Sequence, residues 1–434
     1  METNAPTTIP QDQHVDSRDF RVLAIDLISA DGSSRSIIDL VAEIQIRQDM
    51  YLGFMSGEML ITDATGMFNT AKIHGGEYLY IHITEPEQDL AFKKAFRVYK
   101  MGDRQTAQES AQRYTLYFVS DEMLTSHALK ISKAYRNTTV SDIATSIMRD
   151  YLNIPTNRIK VDKTADAVSY VIPNMRPFEA LNWLASRAYS STDNCWFFYE
   201  NLDGYNFRSL QSIYKDGPAV RVPYRLEAKN VSKKLDMDKY SIDSFESRRD
   251  FDALLQASNG GYAMRLTGVN PTSREYVKTE YGLDDAPKLY GNLPMSNHKI
   301  QGKSLFDRAE SHDLAYIQTD TEHTDKWIRR VLALASLNNT LIEIAVPGNV
   351  KLQAGRLMSI RLPYSTTPSE SDMWDKMRGG RYLILAANHK FDLTNHRYVS
   401  ILLLGRDSLP EALPATDTKL PDRILKLNTN SNRA

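Results

Sequence analysis

One cysteine, Cys195, is all that this chain of 434 residues contains. An intramolecular disulfide and any cysteine-based zinc site are therefore excluded, and a reducing compartment suits the protein. Charge of one sign is missing too. Lys and Arg number 53 against 54 Asp and Glu, a net of −1, so the whole chain carries no electrostatic footprint for nucleic acid or an anionic membrane. No apolar run approaches the ~20 residues that span a bilayer. The first residues are polar and lack an apolar h-region, so no secretory signal is expected. GxSxG, HExxH, GxxxxGK[ST] and a GxGxxG following a strand are all absent.

What is present is ordinary in bulk and patterned in detail. Hydrophobic residues make up 42% and charged residues 25%, the composition of a soluble globular protein with two to four domains. Tyrosine, at 23 residues, is abundant. Its ring packs while its hydroxyl stays hydrogen-bonded, which favours strands and protein interfaces.

Period-two alternation begins at Phe20. In Val41–Gln48, Val41, Glu43 and Gln45 fall on one face and Ala42, Ile44 and Ile46 on the other. Ser56–Thr62, Gly76–Thr84 and Phe92–Tyr99 continue it, predicting an antiparallel barrel or sandwich over 18–121. The period then becomes helical. Val140, Ile143, Ile147 and Tyr151 share a face, with Thr138 or Thr139 as cap. A second helix starts at Pro177, a favoured first-turn proline, and its stripe is Phe178, Leu181, Leu184, Ala185 and Ala188. Residues 195–200 (Cys195-Trp196-Phe197-Phe198-Tyr199-Glu200) follow as a strand, and 122–225 reads as an α+β unit.

Residues 226–323 are charged and turn-rich. They read as an insertion or linker with some strands and a short helix near Arg249–Ser258. A helix at Asp325–Leu337, capped by Thr324, places Trp327, Val331, Leu334 and Ala335 on one face. It leads into a second β unit, and 324–407 is read as one domain. Residues 1–17 are expected to be a disordered arm and 408–434 an extended tail.

The second β unit echoes the first. Gly76–Ile83, then Phe96–Met101, then Arg113–Asp121 recur in order as Gly355–Leu362, Tyr382–Leu385 and Arg397–Asp407. Each copy reads glycine, strand, loop, strand, long polar hairpin, Arg-Tyr strand. The fold class expected is α+β, mainly β: two antiparallel β-barrel modules related by pseudo-symmetry around an interposed α+β domain. A chain that carries two equivalent modules suits a subunit of a ring.

Candidate chemistry has a plainer reading at each place. His74 and His82 near Glu77, and His389 and His396 flanking Asp392, are zinc-ligand types at poor spacing, so strand-end and loop histidines are the simpler account. Cys195 lies in an aromatic strand, where a thiol is usually buried and inert. Glu85 with Glu87, and Asp236 with Asp238, are carboxylate pairs of the kind glycosidases use, in stretches that read as solvated surface. Trp196–Tyr199 could be a carbohydrate platform, but four aromatics in succession point to a strand buried on both faces. No catalytic residue, cofactor or metal is assigned.

Three features together resemble the central baseplate hub of contractile-tailed bacteriophages, a family that includes the late control protein D and type VI secretion spike hubs. One is Val346–Ile360, with its Gly348-Asn349 step and Gly355 before an apolar strand. Another is the tyrosine strand, hairpin and Arg-Tyr strand ending at Asp407. The third is Lys130–Leu152 followed by Arg176-Pro177-Phe178-Glu179-Ala180-Leu181-Asn182-Trp183-Leu184. They cover about two-thirds of the chain, and their order is more specific than any one of them.

The resemblance implies two tube-like barrels per chain, a homotrimeric ring that imitates six-fold symmetry, and no enzymatic activity. Implied partners are the tail tube protein, the trimeric spike, and tape-measure and other baseplate proteins, with DNA only in transit. The implied location is the virion tail baseplate, assembled in the bacterial cytoplasm. A tail-associated cell-wall hydrolase and a receptor- or carbohydrate-binding tail protein are the alternatives. The hairpins Gly102–Gln112 and Lys390–His396 are the expected tube-facing surface, through Arg104, Gln105, Lys390, Asp392, Asn395 and His396.

Overall fold

A computed structural model of the chain describes residues 19–67, 73–85, 91–108, 111–226, 239–250, 252, 254–255, 264–269, 274–281, 298–300, 303–304, 313–317, 324–363, 374–407 and 416–418. Asp236 and Asp238, the arm at 1–17 and half of the expected helix at Arg249–Ser258 lie outside the described residues.

The first seven strands are β1 (Arg21–Ile28), β2 (Ser34–Ser36), β3 (Val41–Asp49), β4 (Ser56–Asp63), β5 (Tyr78–Thr84), β6 (Ala91–Gln108) and β7 (Ala111–Val119). Alternation decides which side chains enter the core. In β5, Leu79, Ile81 and Ile83 point in and join Phe92, Phe96, Leu116 and Phe118. β3 departs from the expected parity. Val41 is buried with Ile44 and Ile46 because a bulge between Val41 and Glu43 resets the alternation.

The middle unit runs through α1 (Asp121–Ala128), β8 (Ile131–Thr139), α2 (Val140–Asp150), β9 (Ile159–Val161), β10 (Ala167–Met175), α3 (Pro177–Ala185), β11 (Trp196–Asn201), β12 (Gly204–Ser209) and α4 (Leu210–Lys215). Thr139 caps α2 by accepting from the Asp142 amide at 3.2 Å. Pro177 opens α3, and Glu179 reaches back to the Arg176 amide at 3.1 Å. Phe178, Leu181 and Leu184 are buried with Trp196 and Phe198, the latter's ring 5.4 Å from that of Phe178. Every residue of β11 is buried. Its other face, Phe197 and Tyr199 with Cys195 beside them, packs on Leu357, Leu383 and Leu385 of the second barrel.

The remaining strands are β13 (Tyr224–Arg225), β14 (Ser244–Arg249), β15 (Met264–Val269), β16 (Tyr276–Tyr281), β17 (His298–Ile300), β18 (Lys303–Ser304), β19 (Asp313–Ile317), β20 (Thr340–Pro347), β21 (Leu357–Arg361), β22 (Gly380–Asp392), β23 (Arg397–Arg406) and β24 (Thr416–Thr418), with α5 (Thr324–Leu337) before β20. The stretch read as an insertion is not all separate. β14 pairs with β20 and so belongs to the second barrel, whereas β15, β16 and β19 form a sheet of their own. In the tail, β24 pairs with β17.

α5 buries a different stripe from the one expected. Ile328, Leu332, Ala333, Ser336 and Leu337 face the core, and Trp327 is 39% exposed. The buried stripe is turned by one residue, about 100°, from the predicted one. What fixes it is β11: Arg330 donates to the Trp196 carbonyl at 2.7 Å, and Ala333 and Leu337 share a cluster with Phe197. Amphipathicity alone did not separate two adjacent apolar stripes.

The two β units share one 13-stranded sheet, in the order β14-β20-β23-β22-β3-β4-β7-β6-β5-β1-β2, with β21 on β22 and β13 on β21. The second barrel's β14-β20-β23-β22-β21-β13 has the strand order of the first barrel's β3-β4-β7-β6-β5-β1. Bulges also fall alike, at Tyr99 between Val98 and Lys100, and at Leu385 between Ile384 and Ala386. By ladder position Tyr78 corresponds to Leu357. Val119 corresponds to Gly405 and Arg113 to Val399, so the two Arg-Tyr pairs are offset by two residues. One difference remains: β13 runs parallel to β21, while β1 runs antiparallel to β5.

Candidate assembly interface

The surface expected to meet a partner lies on two hairpins. In the first, β6 extends to Gln108 and β7 resumes at Ala111, so the hairpin is almost wholly strand. Polar residues on both faces here mark a ribbon that projects beyond the core. Arg104 and Gln105 are exposed on β6, and Arg104 holds the Gln112 side-chain oxygen from across the pair at 2.8 and 3.0 Å. Tyr117 donates to Asp103 at 2.8 Å.

In the second hairpin, Lys390 and Asp392 are the last turns of β22's alternation. Asp392 accepts from the Asn395 amide at 2.9 Å and its side-chain nitrogen at 2.8 Å, closing the turn. Burial raises the Asp392 carboxyl, yet the Asn395 bonds prevail and hold it below the usual carboxylate range. His396 sits at φ +47°, its ring 6.5 Å from that of Phe20. Lys390 is not a free tip residue. Its ammonium lies 2.9 Å from Glu43 of β3.

That ion pair belongs to a junction. β22 pairs antiparallel with β3 from Ala386↔Asp49 to Asp392↔Glu43, which welds the two barrels into one sheet. Asn388 donates to Gln45 across it at 3.1 Å. The Arg104 and Lys390 sets therefore do not form one cluster; β3, β4 and β7 lie between β22 and β6. Because β22, β3, β4, β7 and β6 are successively antiparallel, β6 and β22 run the same way and both hairpin tips leave the same end of the sheet.

The opposite end, the β3–β4 connection, meets the middle unit. Phe54 stacks on Phe178, and Tyr51 edges onto Phe197. Met55's amide donates to Glu200 at 2.9 Å. Glu200, fully buried on β11, also takes bonds from Lys94 of β6 and the Ser120 hydroxyl, with Arg158 3.7 Å away. Sequence reading missed this knot. Its only signal was a glutamate ending an otherwise aromatic strand. Glu85 was misread as solvated surface; it is buried and accepts from the Val350 amide, tying the first barrel to the second.

Two glycines in the quoted motif have a steric reason. At Gly355, φ is +77° and a Cβ would lie 2.3 Å from the Tyr199 hydroxyl; at Gly348 a Cβ would lie 2.0 Å from the Tyr398 ring.

The remaining candidates sit as structural groups. Burial pushes the Cys195 thiol up to about 12, so it stays protonated. Glu77 accepts from the amides of His74 and Gly75 within its own loop, and His82 lies on β5 with its ring 6.3 Å from Tyr80. Burial holds His389 neutral, down at about 4, where its Nδ1 lies 2.8 Å from the Tyr398 hydroxyl. Among the described residues no group of three or more His, Cys, Asp or Glu could hold a metal ion.

No protein-family model matches the sequence, and no curated protein matches it. Solved structures do. A tail protein from Neisseria meningitidis MC58 aligns with a TM-score of 0.55 at 11% identity, over 90% of this chain and 97% of that one. The 43 kDa tail protein of prophage MuSo2 from Shewanella oneidensis aligns at 0.52 and 11%, over 89% and 99%. The chain therefore has the fold of these tail proteins, mainly β with an interposed α+β unit, as its resemblance to contractile-tail baseplate hubs implied.

Proposed function

We propose that this chain is the structural hub of a contractile-tail baseplate. Three copies form a ring of six barrels related by pseudo-symmetry. The ring joins a six-fold tail tube to a three-fold spike and lines the channel through which tape-measure protein and DNA pass. The observation that carries this is the pair of like-ordered barrels in one sheet with both polar hairpin tips leaving the same end. Three copies would present six tips to a six-fold partner, while the middle unit occupies the other end. The assembly belongs in the virion baseplate and no catalysis is assigned to it. Native mass spectrometry with negative-stain microscopy tests the ring: a hollow three-fold particle is expected, and a lone monomer at micromolar concentration, with or without the spike, overturns it.

The tips are proposed to meet the tube through Arg104, Gln105, Asp392, Asn395 and His396. Because Lys390 is paired with Glu43, its charge is best reversed together with that of its partner. Rings carrying His396→Glu with Lys390→Glu/Glu43→Lys should stay trimeric and fail to seed tube polymerisation. Normal tubes from such rings would place the tube-facing surface elsewhere.

A further inference from the structure

The β22–β3 junction has an unfinished counterpart. Along one edge, β22 pairs first with β21 over Gly380–Leu383, passes the bulge at Leu385, and then pairs with β3 over Ala386–Asp392. β6 repeats the start of this. It pairs with β5 over Ala91–Arg97 and passes a bulge at Tyr99. From Lys100 onward, among the described residues, no strand occupies that edge. β3 is held between β4 and β22, whereas its counterpart β14 pairs with β20 alone and ends the sheet.

The counterparts agree in detail. Glu58 and Lys100 flank Tyr117 of β7; Glu343 and Ala386 flank Leu403 of β23. Arg47 pairs with Glu58 at 2.6 Å, and Arg248 with Glu343 at 3.0 Å. One chain thus holds one finished seam and both halves of another. The halves stand seven strand steps apart in the sheet order and do not pair with each other within the chain.

We infer that the outer edge of β6 over Lys100–Gln105 pairs antiparallel with the outer edge of β14 in a second copy of this chain, repeating the β22–β3 seam between subunits. The register carries over. Asn388↔Arg47 and Lys390↔Gln45 within the chain become Gly102 opposite Arg249 and Gln105 opposite Glu246 between chains. This sets Arg104 beside Glu246 and Asp103 beside Arg248, a complementary run of charge. Each copy offers one β6 edge and one β14 edge, so the contact is heterologous and closes if its rotation closes. Closure at three copies rests on the hub reading above; the strand pairing itself does not. The alternative is that the charges on β14 guard a bare edge against association.

Full-length Gln105→Cys/Glu246→Cys tests the seam, with Arg104→Cys/Glu246→Cys covering a one-residue slip at the β6 bulge. The native cysteine is buried and will not compete. Mild oxidation should link two and three chains and no more, whereas each single variant stays unlinked. Lys390→Cys/Gln45→Cys should close within one chain and serves as the geometric control. A trimer by native mass spectrometry with neither linkage overturns the seam but leaves the ring; no oligomer at all overturns both. If the double variants fail to fold, hydrogen exchange on the unmodified protein decides. Amides of Ser244–Arg249 should exchange at least tenfold more slowly in the assembled form than in dissociated chains, and equal rates overturn the pairing.

Discussion

Removing the Glu200 side chain is the sharpest test of how the first barrel is fixed to the middle unit. Glu200 is fully buried and Lys94 is 8% exposed. Glu200→Ala leaves the Lys94 ammonium in the interior without its carboxylate, the Phe96 ring 5.5 Å away. An uncompensated buried charge of this kind costs about 3–5 kcal/mol. Lys94→Ala should cost less, about 2–3 kcal/mol, because Glu200 keeps the Met55 amide, the Ser120 hydroxyl and Arg158. Replacing both, as Lys94→Met/Glu200→Leu, keeps the volume and removes both charges. The Met55 amide still has the Ser120 oxygen at 3.3 Å, so the double variant should lie within about 1 kcal/mol of the parent. The assay is a urea double-mutant cycle that follows the transition exposing Trp196, repeated in 1 M NaCl. A buried pair should lose little to salt. Additive single variants, or a Glu200→Ala cost under about 1 kcal/mol, would refute the knot as a coupled unit.

Leu181→Ala should cost about 2–5 kcal/mol as a core cavity, since Leu181 is fully buried against β11's cluster; a urea-melt change below about 0.5 kcal/mol would mean the helix is not seated there. Gly355→Ala combines a left-handed backbone with a collision on Tyr199, and a loss of about 2–5 kcal/mol is expected in the same melts. His389 is held near 4 in the folded chain, below its ordinary 6.5. The unfolded chain therefore binds the proton first, and stability is lost as pH falls from about 6.5 to 4, by up to about 3 kcal/mol. His389→Gln should flatten that part of the stability–pH curve, and an unchanged slope would exonerate His389. Cys195 should resist thiol reagents in the folded protein up to about pH 10 and react at the unfolding rate; fast labelling would contradict its burial.

Local pattern alone determined much of this protein. Alternation located β4 and β5. Capping and proline chemistry located α2 and α3, and four successive aromatics announced a strand covered on both sides. These features arise from interactions between near neighbours in sequence, so they are written there. The order of two similar β units was also legible, and with it the fold shared with phage tail proteins. Tertiary contacts decided the rest. The stripe of α5 was chosen by Trp196 and Phe197, which lie over a hundred residues away. The bulge after Val41 overrode simple parity. β14 was invisible because its charged face is an edge, and edges need no apolar alternation. Glu85 read as surface, and nothing singled out Glu200 within its strand, because a carboxylate is soluble until partners from distant strands enclose it. The β22–β3 seam, which makes one sheet of two barrels, joins residues more than three hundred apart in the chain. Its register is set by backbone hydrogen bonds that every sequence can make, so only the folded chain could place it.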